Sequence, residues 1–188
     1  MKMAKFKAKV NRNIISCRKK QQREAIFKVY KDVIYAVTQG KFLLVNVHEI
    51  YCYTDEGVKL AAVNIFTNKD VGLARQITRQ VVKDVFPEYD KIQKILLCVS
   101  EAATNILKHA GPGQLIIKKT SDDSLRFIFN DHGPGIDIEY LPSMLFYKGF
   151  STKTSLGYGF NLIYSIVDKM ILSSSPNGTT VAFDIILE

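Results

Sequence analysis

The stretch VSEAATNILKHAG, residues 99–111, decides how the rest of the chain is read. Ile92, Ile95, Leu96, Val99, Ala102, Ala103, Ile106 and Leu107 recur with helical period, which predicts a helix from about Asp90 to His109. Glu101 and Asn105 stand four apart and so share one side of that helix. A carboxylate and an amide one turn apart are by themselves an ordinary solvated pair. Their neighbours give them meaning.

On the C-terminal side, Leu115 to Lys119 and Leu125 to Asn130 read as strands joined by the turn Ser121-Asp122-Asp123, and the hairpin ends at Asp131 in DHGPGI. A short apolar segment follows at Leu141 to Tyr147, then the glycine-rich GFSTKTSLGYGF from Gly149 to Phe160. A helix is predicted from about Tyr158 to Met170, and two last strands lie around Ser175 to Gly178, leading into GTT (Gly178, Thr179, Thr180). On the N-terminal side, Asn68 or Asp70 is the expected cap of a helix carrying Val71, Ala74, Ile77, Val81 and Val85 and stopping before Pro87. Before it come strands at Phe42 to Val47 and Val58 to Phe66, and a helix from about Lys19 to Gln39 closed by Gly40. Strands and helices mix without strict alternation. That predicts an α/β two-layer sandwich, a mixed sheet with helices on one face, rather than a doubly wound fold.

The 188 residues fit one domain with a small appendage. With 47% hydrophobic and 23% charged residues the composition excludes disordered, collagen-like and coiled-coil classes. No apolar run approaches the roughly 18 residues of a membrane span. The start, MKMAKFKAKV, lacks the apolar core of a secretory signal. Cys17, Cys52 and Cys98 form no C-x-x-C pair, so a reducing cytoplasm is the simpler setting. The net charge of +8 is unevenly spread: residues 1–41 carry twelve Lys/Arg against Glu24 and Asp32, whereas residues 42–188 carry 14 against 16 acidic residues. Nucleic-acid binders generally spread cations over a folded face, so a tether for nucleic acid is the lesser reading of this arm.

Taken in order, SEAATN, DHGPG, GFSTKTSLGYG and GTT resemble the motifs of the Bergerat-fold ATPases: gyrase, the heat-shock chaperone, sensor histidine kinases and mismatch-repair ATPases. VSEAATNILKHAG, DHGPGI and GFSTKTSLGYGF look most like the anti-sigma-factor serine kinases and their switch-kinase relatives. The match covers about Asn68 to Glu188, so the division expected is an N-terminal extension at 1–66 and an ATP-binding kinase domain at 67–188. The resemblance implies an ATP- and Mg²⁺-dependent serine/threonine kinase acting on a small antagonist protein. A sigma factor is a second candidate partner, and the N-terminal helix is the candidate interface for a homodimer or for the partner. A non-catalytic ATP-binding module that sequesters a partner is the alternative. His48 and His109 lie in no helical-hairpin segment, which argues against a histidine autokinase.

The residue types suit these roles. Asp131, an acceptor-only carboxylate at a strand end, can take the hydrogen bond of adenine's exocyclic amine, whereas guanine would set its carbonyl oxygen against it. Gly133 and Gly135 remove side chains and permit positive φ, bringing backbone close to the base. Asn105 offers a neutral oxygen to Mg²⁺, which takes its other ligands from phosphate and water. Glu101 is placed to orient the attacking hydroxyl and accept its proton. Gly149 to Gly159 reads as a lid, with Gly157 and Gly159 as a phosphate cradle at a helix start and Ser151, Thr152 or Lys153 reaching the γ-phosphate. Thr180 corresponds to the late threonine of the family's last motif.

Overall fold

A computed structural model describes residues 21–147 and 159–187. Helix α1 (21–37) leads into β1 (Phe42–Leu44), α2 (Tyr51–Thr54) and β2 (Val58–Ile65). Then follow α3 (Asn68–Val82), α4 (Tyr89–His109), β3 (Gly113–Lys119), β4 (Ser124–Asp131), a single 3₁₀ turn at Ile138–Tyr140 and α5 (Leu141–Phe146). The last elements are α6 (Gly159–Ile166), β5 (Lys169–Ser175) and β6 (Gly178–Ile186).

The six strands among the described residues form one mixed sheet in the order β1-β5-β6-β4-β3-β2. Only β1 and β5 run parallel. Strand alternation sends Leu115, Ile117, Phe127, Phe129, Met170, Leu172, Phe183 and Ile185 to one face, where they pack against α1, α3, α4 and α6 in the main core. The expected sandwich is therefore present. Two of its strands come from residues before 67: β1 adds to one edge of the sheet and β2 to the other.

Local chemistry explains the boundaries. Thr67, rather than Asn68 or Asp70, is the N-cap of α3, and Asp70 reaches back to accept from the Thr67 N–H at 2.8 Å and the Phe66 N–H at 3.0 Å. Those bonds hold the Asp70 carboxyl below its usual range. The helix predicted to continue to Met170 ends at Ile166, with the Val167 N–H on Ile163 O closing it. Met170, Ile171 and Leu172 are instead fully buried strand residues of β5. The short apolar run Met170-Ile171-Leu172 suits a helix continuation or a buried strand by periodicity alone, and tertiary burial chose the strand.

Candidate functional site

The C-terminal end of β4 places Asp131 on the helix-covered face, because Leu125, Phe127 and Phe129 before it alternate onto that side. Asp131 Oδ1 accepts from the Gly133 N–H at 2.8 Å and from the Thr179 N–H at 3.1 Å. Two backbone donors thus fix the carboxylate's plane. Among the described residues Oδ2 has no donor, and the side chain borders a cavity of about 330 Å³. Ile106, Phe129, Ile136, Met144, Ile163 and Val181 give that cavity apolar walls, and Asn105, Asp131 and Thr179 supply polar atoms. A flat, largely apolar group with a hydrogen-bonding edge suits such a lining.

The loop after Asp131 forms another wall through Pro134, Gly135 and Ile136. Of its two glycines only Gly135 has positive φ, at 81°, and its α-carbon backs directly on the Ser175 carbonyl, leaving no room for a Cβ. Gly133 serves close approach instead: a Cβ there would lie 2.5 Å from that of Ala110. The Ile136 N–H donates to Ser174 Oγ at 2.7 Å, tying the loop's far end to β5.

Glu101 and Asn105 lie on α4 as the spacing required, and α6 starts against both of them. A Cβ on Gly159 would stand 2.8 Å from Glu101 Oε2 and 3.3 Å from Asn105 Nδ2. Asp131, Gly135, Asn105 and Gly159 therefore meet around one cavity, with Glu101 at its α6 rim and Gly133 behind the loop. Gly149, Ser151, Thr152, Lys153 and Gly157 lie outside the described residues.

Thr180 is the residue the fold places elsewhere. It pairs with Asn130 on the opposite face of the sheet and lines a second cavity there, which Asp131 and Thr179 also border. Its neighbour Thr179, buried at 7% exposure, stands beside Asp131 and in the first cavity. The GTT string alone does not say which threonine alternates inward; the register Asn130↔Thr180 does. Ser174 carries no motif signal in the sequence; its pairing with Thr179 across β5 and β6 and its bond from the Ile136 N–H place it behind the cavity wall.

Residues 66–185 match the Histidine kinase-like ATPase domain. The chain belongs to that family. Among curated relatives, the serine/threonine-protein kinase RsbT of Bacillus subtilis is 36% identical over 127 residues, covering 64% of this chain and 92% of that protein. The anti-sigma F factor of Bacillus licheniformis is 31% identical over 124 residues, 61% of this chain and 82% of the relative. The solved SiaB–SiaC complex from Pseudomonas aeruginosa shares the fold, with a TM-score of 0.53 at 12% identity over 73% of this chain and 94% of that one. ATP use by this ATPase-family domain accords with the cavity's lining. The helices described include none long and apolar enough to cross a membrane.

Proposed function

We propose that the chain is an ATP- and Mg²⁺-dependent serine/threonine protein kinase of the anti-sigma or switch type, which phosphorylates a small regulatory partner protein. The observation that carries the reading is the Asp131 carboxylate, fixed through Oδ1 by the Gly133 and Thr179 N–H groups and turned to the cavity. An exocyclic amine is a donor that such a carboxylate accepts, and the apolar walls suit the faces of a purine.

Mg²⁺ fits the donor set: Asn105 presents a neutral amide oxygen, and no cluster of three or more His, Cys, Asp or Glu among the described residues competes as an all-protein cage. Asn105 would hold the ion from α4. When bound, Mg–ATP supplies the transferable phosphoryl group. Glu101, one turn before Asn105, orients the partner's serine or threonine hydroxyl and accepts its proton. Phosphoryl transfer through a loose transition state asks little of a base, so positioning by α4 and the start of α6 contributes more than proton transfer does. The segment with Gly149, Ser151, Thr152, Lys153 and Gly157 is assigned to the phosphates, and Gly159 to the packing of α6 on the two α4 side chains.

Residues 67–188 are the kinase unit in this reading and 1–66 an extension that contributes strands to its sheet. The extension's α1 leaves Val29, Val33 and Val37 exposed, a surface suited to a second copy or to the partner, a sigma factor included. The cytoplasm is the proposed place of action.

Time courses with γ-labelled ATP, Mg²⁺ and the candidate antagonist protein test the reading. Label appearing on a serine or threonine of the antagonist is the expected result. Nucleotide that binds but keeps its label through the time course indicates the non-catalytic module instead.

A further inference from the structure

Asp131 alone does not distinguish the purines fully. Adenine presents a donor, its amine, beside an acceptor, ring N1; guanine presents an acceptor, its carbonyl oxygen, beside a ring N–H donor. A site selective for adenine therefore wants an acceptor and, next to it, a donor. Asp131 is the acceptor, and Thr179, whose backbone N–H donates to Asp131 Oδ1, stands beside it in the cavity lining. A threonine hydroxyl can offer either a hydrogen or a lone pair, so its own partner decides which one the cavity meets.

That partner is Ser174. Ser174 and Thr179 are paired across β5 and β6, and their hydroxyl oxygens lie 3.3 Å apart. Ser174 Oγ already accepts the Ile136 N–H at 2.7 Å. Among the described residues Thr179 Oγ1 is the one acceptor within hydrogen-bond distance of the Ser174 hydroxyl. A chain with one direction satisfies every member: Ile136 N–H to Ser174, Ser174 O–H to Thr179, and the Thr179 hydrogen left for the cavity that Thr179 lines. The same serine fixes the far end of the loop whose Pro134, Gly135 and Ile136 wall the cavity, yet Ser174 itself is not part of the lining.

We propose that Ser174 is a specificity-determining positioning residue, which sets the direction of the Thr179 hydroxyl and the seat of the 132–137 loop so that the site offers acceptor and donor in the order adenine requires. The proposal rests on the reading of Asp131 as the purine's acceptor. Removing the Ser174 hydroxyl frees Thr179 Oγ1 to accept, and a site with two acceptors no longer penalises the ring N–H of guanine.

The test measures dissociation constants of the full chain for ATP and for GTP, with Mg²⁺, by displacement of a fluorescent ADP analogue. Ser174→Thr and Ser174→Val share a shape and differ by the hydroxyl; Ser174→Ala removes the hydroxyl without adding volume. Wild type and Ser174→Thr are expected to prefer ATP by roughly 100-fold or more, and Ser174→Val and Ser174→Ala to narrow that preference by about tenfold. Equal loss of affinity for both nucleotides in Val and Ala variants, or none, overturns the proposal, because a merely structural serine would not move the ratio. A Thr variant as unselective as the Val variant overturns it too. Wild type that fails to prefer ATP sinks the Asp131 reading beneath it, an outcome separable from the others because it needs no variant.

Discussion

The two faces of the sheet are built on different physics. The helix-covered face is apolar along its length and opens, at the end of β4 and the start of β6, into the cavity bordered by Asp131 and Thr179. The other face is organised in rows that cross the strands. Lys118, Arg126, Asp184 and Lys169 stand in register as a charged row; Ile116, Ile128, Ala182 and Ile171 form an apolar row; Asn64, Gln114, Asn130, Thr180 and Ser173 form an uncharged polar row. The segment 45–56 covers this second face: Val45 and Ile50 pack on the apolar row, and the end of α2 meets the charged one. The comparison teaches that residues of the family match supply the site, while residues before it seal the sheet's back with an ion pair as well as with apolar contacts.

Arg126 is the centre of that seal. It is 1% exposed, donates from Nε and Nη2 to both oxygens of Asp184 at 2.7 and 2.8 Å, and from Nη1 to Tyr53 O at 2.8 Å and Glu56 Oε2 at 2.9 Å. Burial by itself favours a neutral guanidine, yet the bonds and charges of Asp184 and Glu56 outweigh it and raise the Arg126 pKa above its ordinary value. The largest effect expected is therefore from Arg126→Ala, which strands Asp184 at 2% exposure and costs about 3–5 kcal/mol of stability by denaturant unfolding. The double variant Arg126→Met, Asp184→Leu should recover most of that loss. A double variant no more stable than the single would mean that the charges do more than compensate each other's burial.

On the opposite face the effects should fall on nucleotide rather than on folding. Asp131→Asn keeps an oxygen for the Gly133 and Thr179 N–H groups and replaces Oδ2 with an NH₂ on a side chain that borders the cavity, so in the proposed pose donor meets donor. ATP affinity should drop by about 100-fold, roughly 2.7 kcal/mol, with an unfolding midpoint close to wild type. Unchanged affinity in a folded Asp131→Asn variant removes the purine from this cavity. Gly159→Ala comes next: its methyl would enter within 2.8 Å of Glu101 Oε2, displacing the carboxylate from α6. Turnover should fall by about tenfold through misplacement while the ATP dissociation constant moves little, which single-turnover kinetics and nucleotide binding together can read.

The contrast between faces also explains what could be read in advance. Glu101, Asn105 and Asp131 were legible because helix period and strand end are local properties of SEAATN and DHGPG. The order of motifs, rather than any one string, identified the ATPase fold. Arg126 was not legible as a buried cation: within LRFIFN it is one polar residue in a strand, and its partners Glu56 and Asp184 lie 70 and 58 positions away. The division drawn at residue 66 came from motif coverage, which says nothing of strands; that β1 and β2 occupy both edges of the sheet depends on pairings with β5 and β3 that no local pattern encodes. Thr179 and Thr180 show the finest limit, since a shift of one residue in register exchanges the faces.

The smallest effect expected tests how firmly the extension itself is held. Lys31 of α1 donates to both oxygens of Glu49 at 2.9 Å, and Glu49 Oε2 also accepts the Asn46 N–H at 3.0 Å, so one carboxylate joins α1 to the segment that covers the second face. The Lys31 bond, then the Asn46 bond, hold the Glu49 carboxyl below its ordinary range. Both side chains remain more than a third exposed, at 37% and 42%, so solvent screens the pair and its contribution is about 0.5 kcal/mol. A carboxyl with a depressed folded pKa adds stability above its unfolded pKa and loses it as pH falls through the folded value. Glu49→Gln should therefore unfold slightly more easily than wild type at pH 7, with the gap closing as the solution is acidified through the carboxylate range and shrinking in high salt. A gap that persists at low pH would show that Glu49 acts through the shape of its hydrogen bonds rather than through its charge. A gap of several kcal/mol at pH 7 would make this pair, and not Arg126, the principal fastening of the extension.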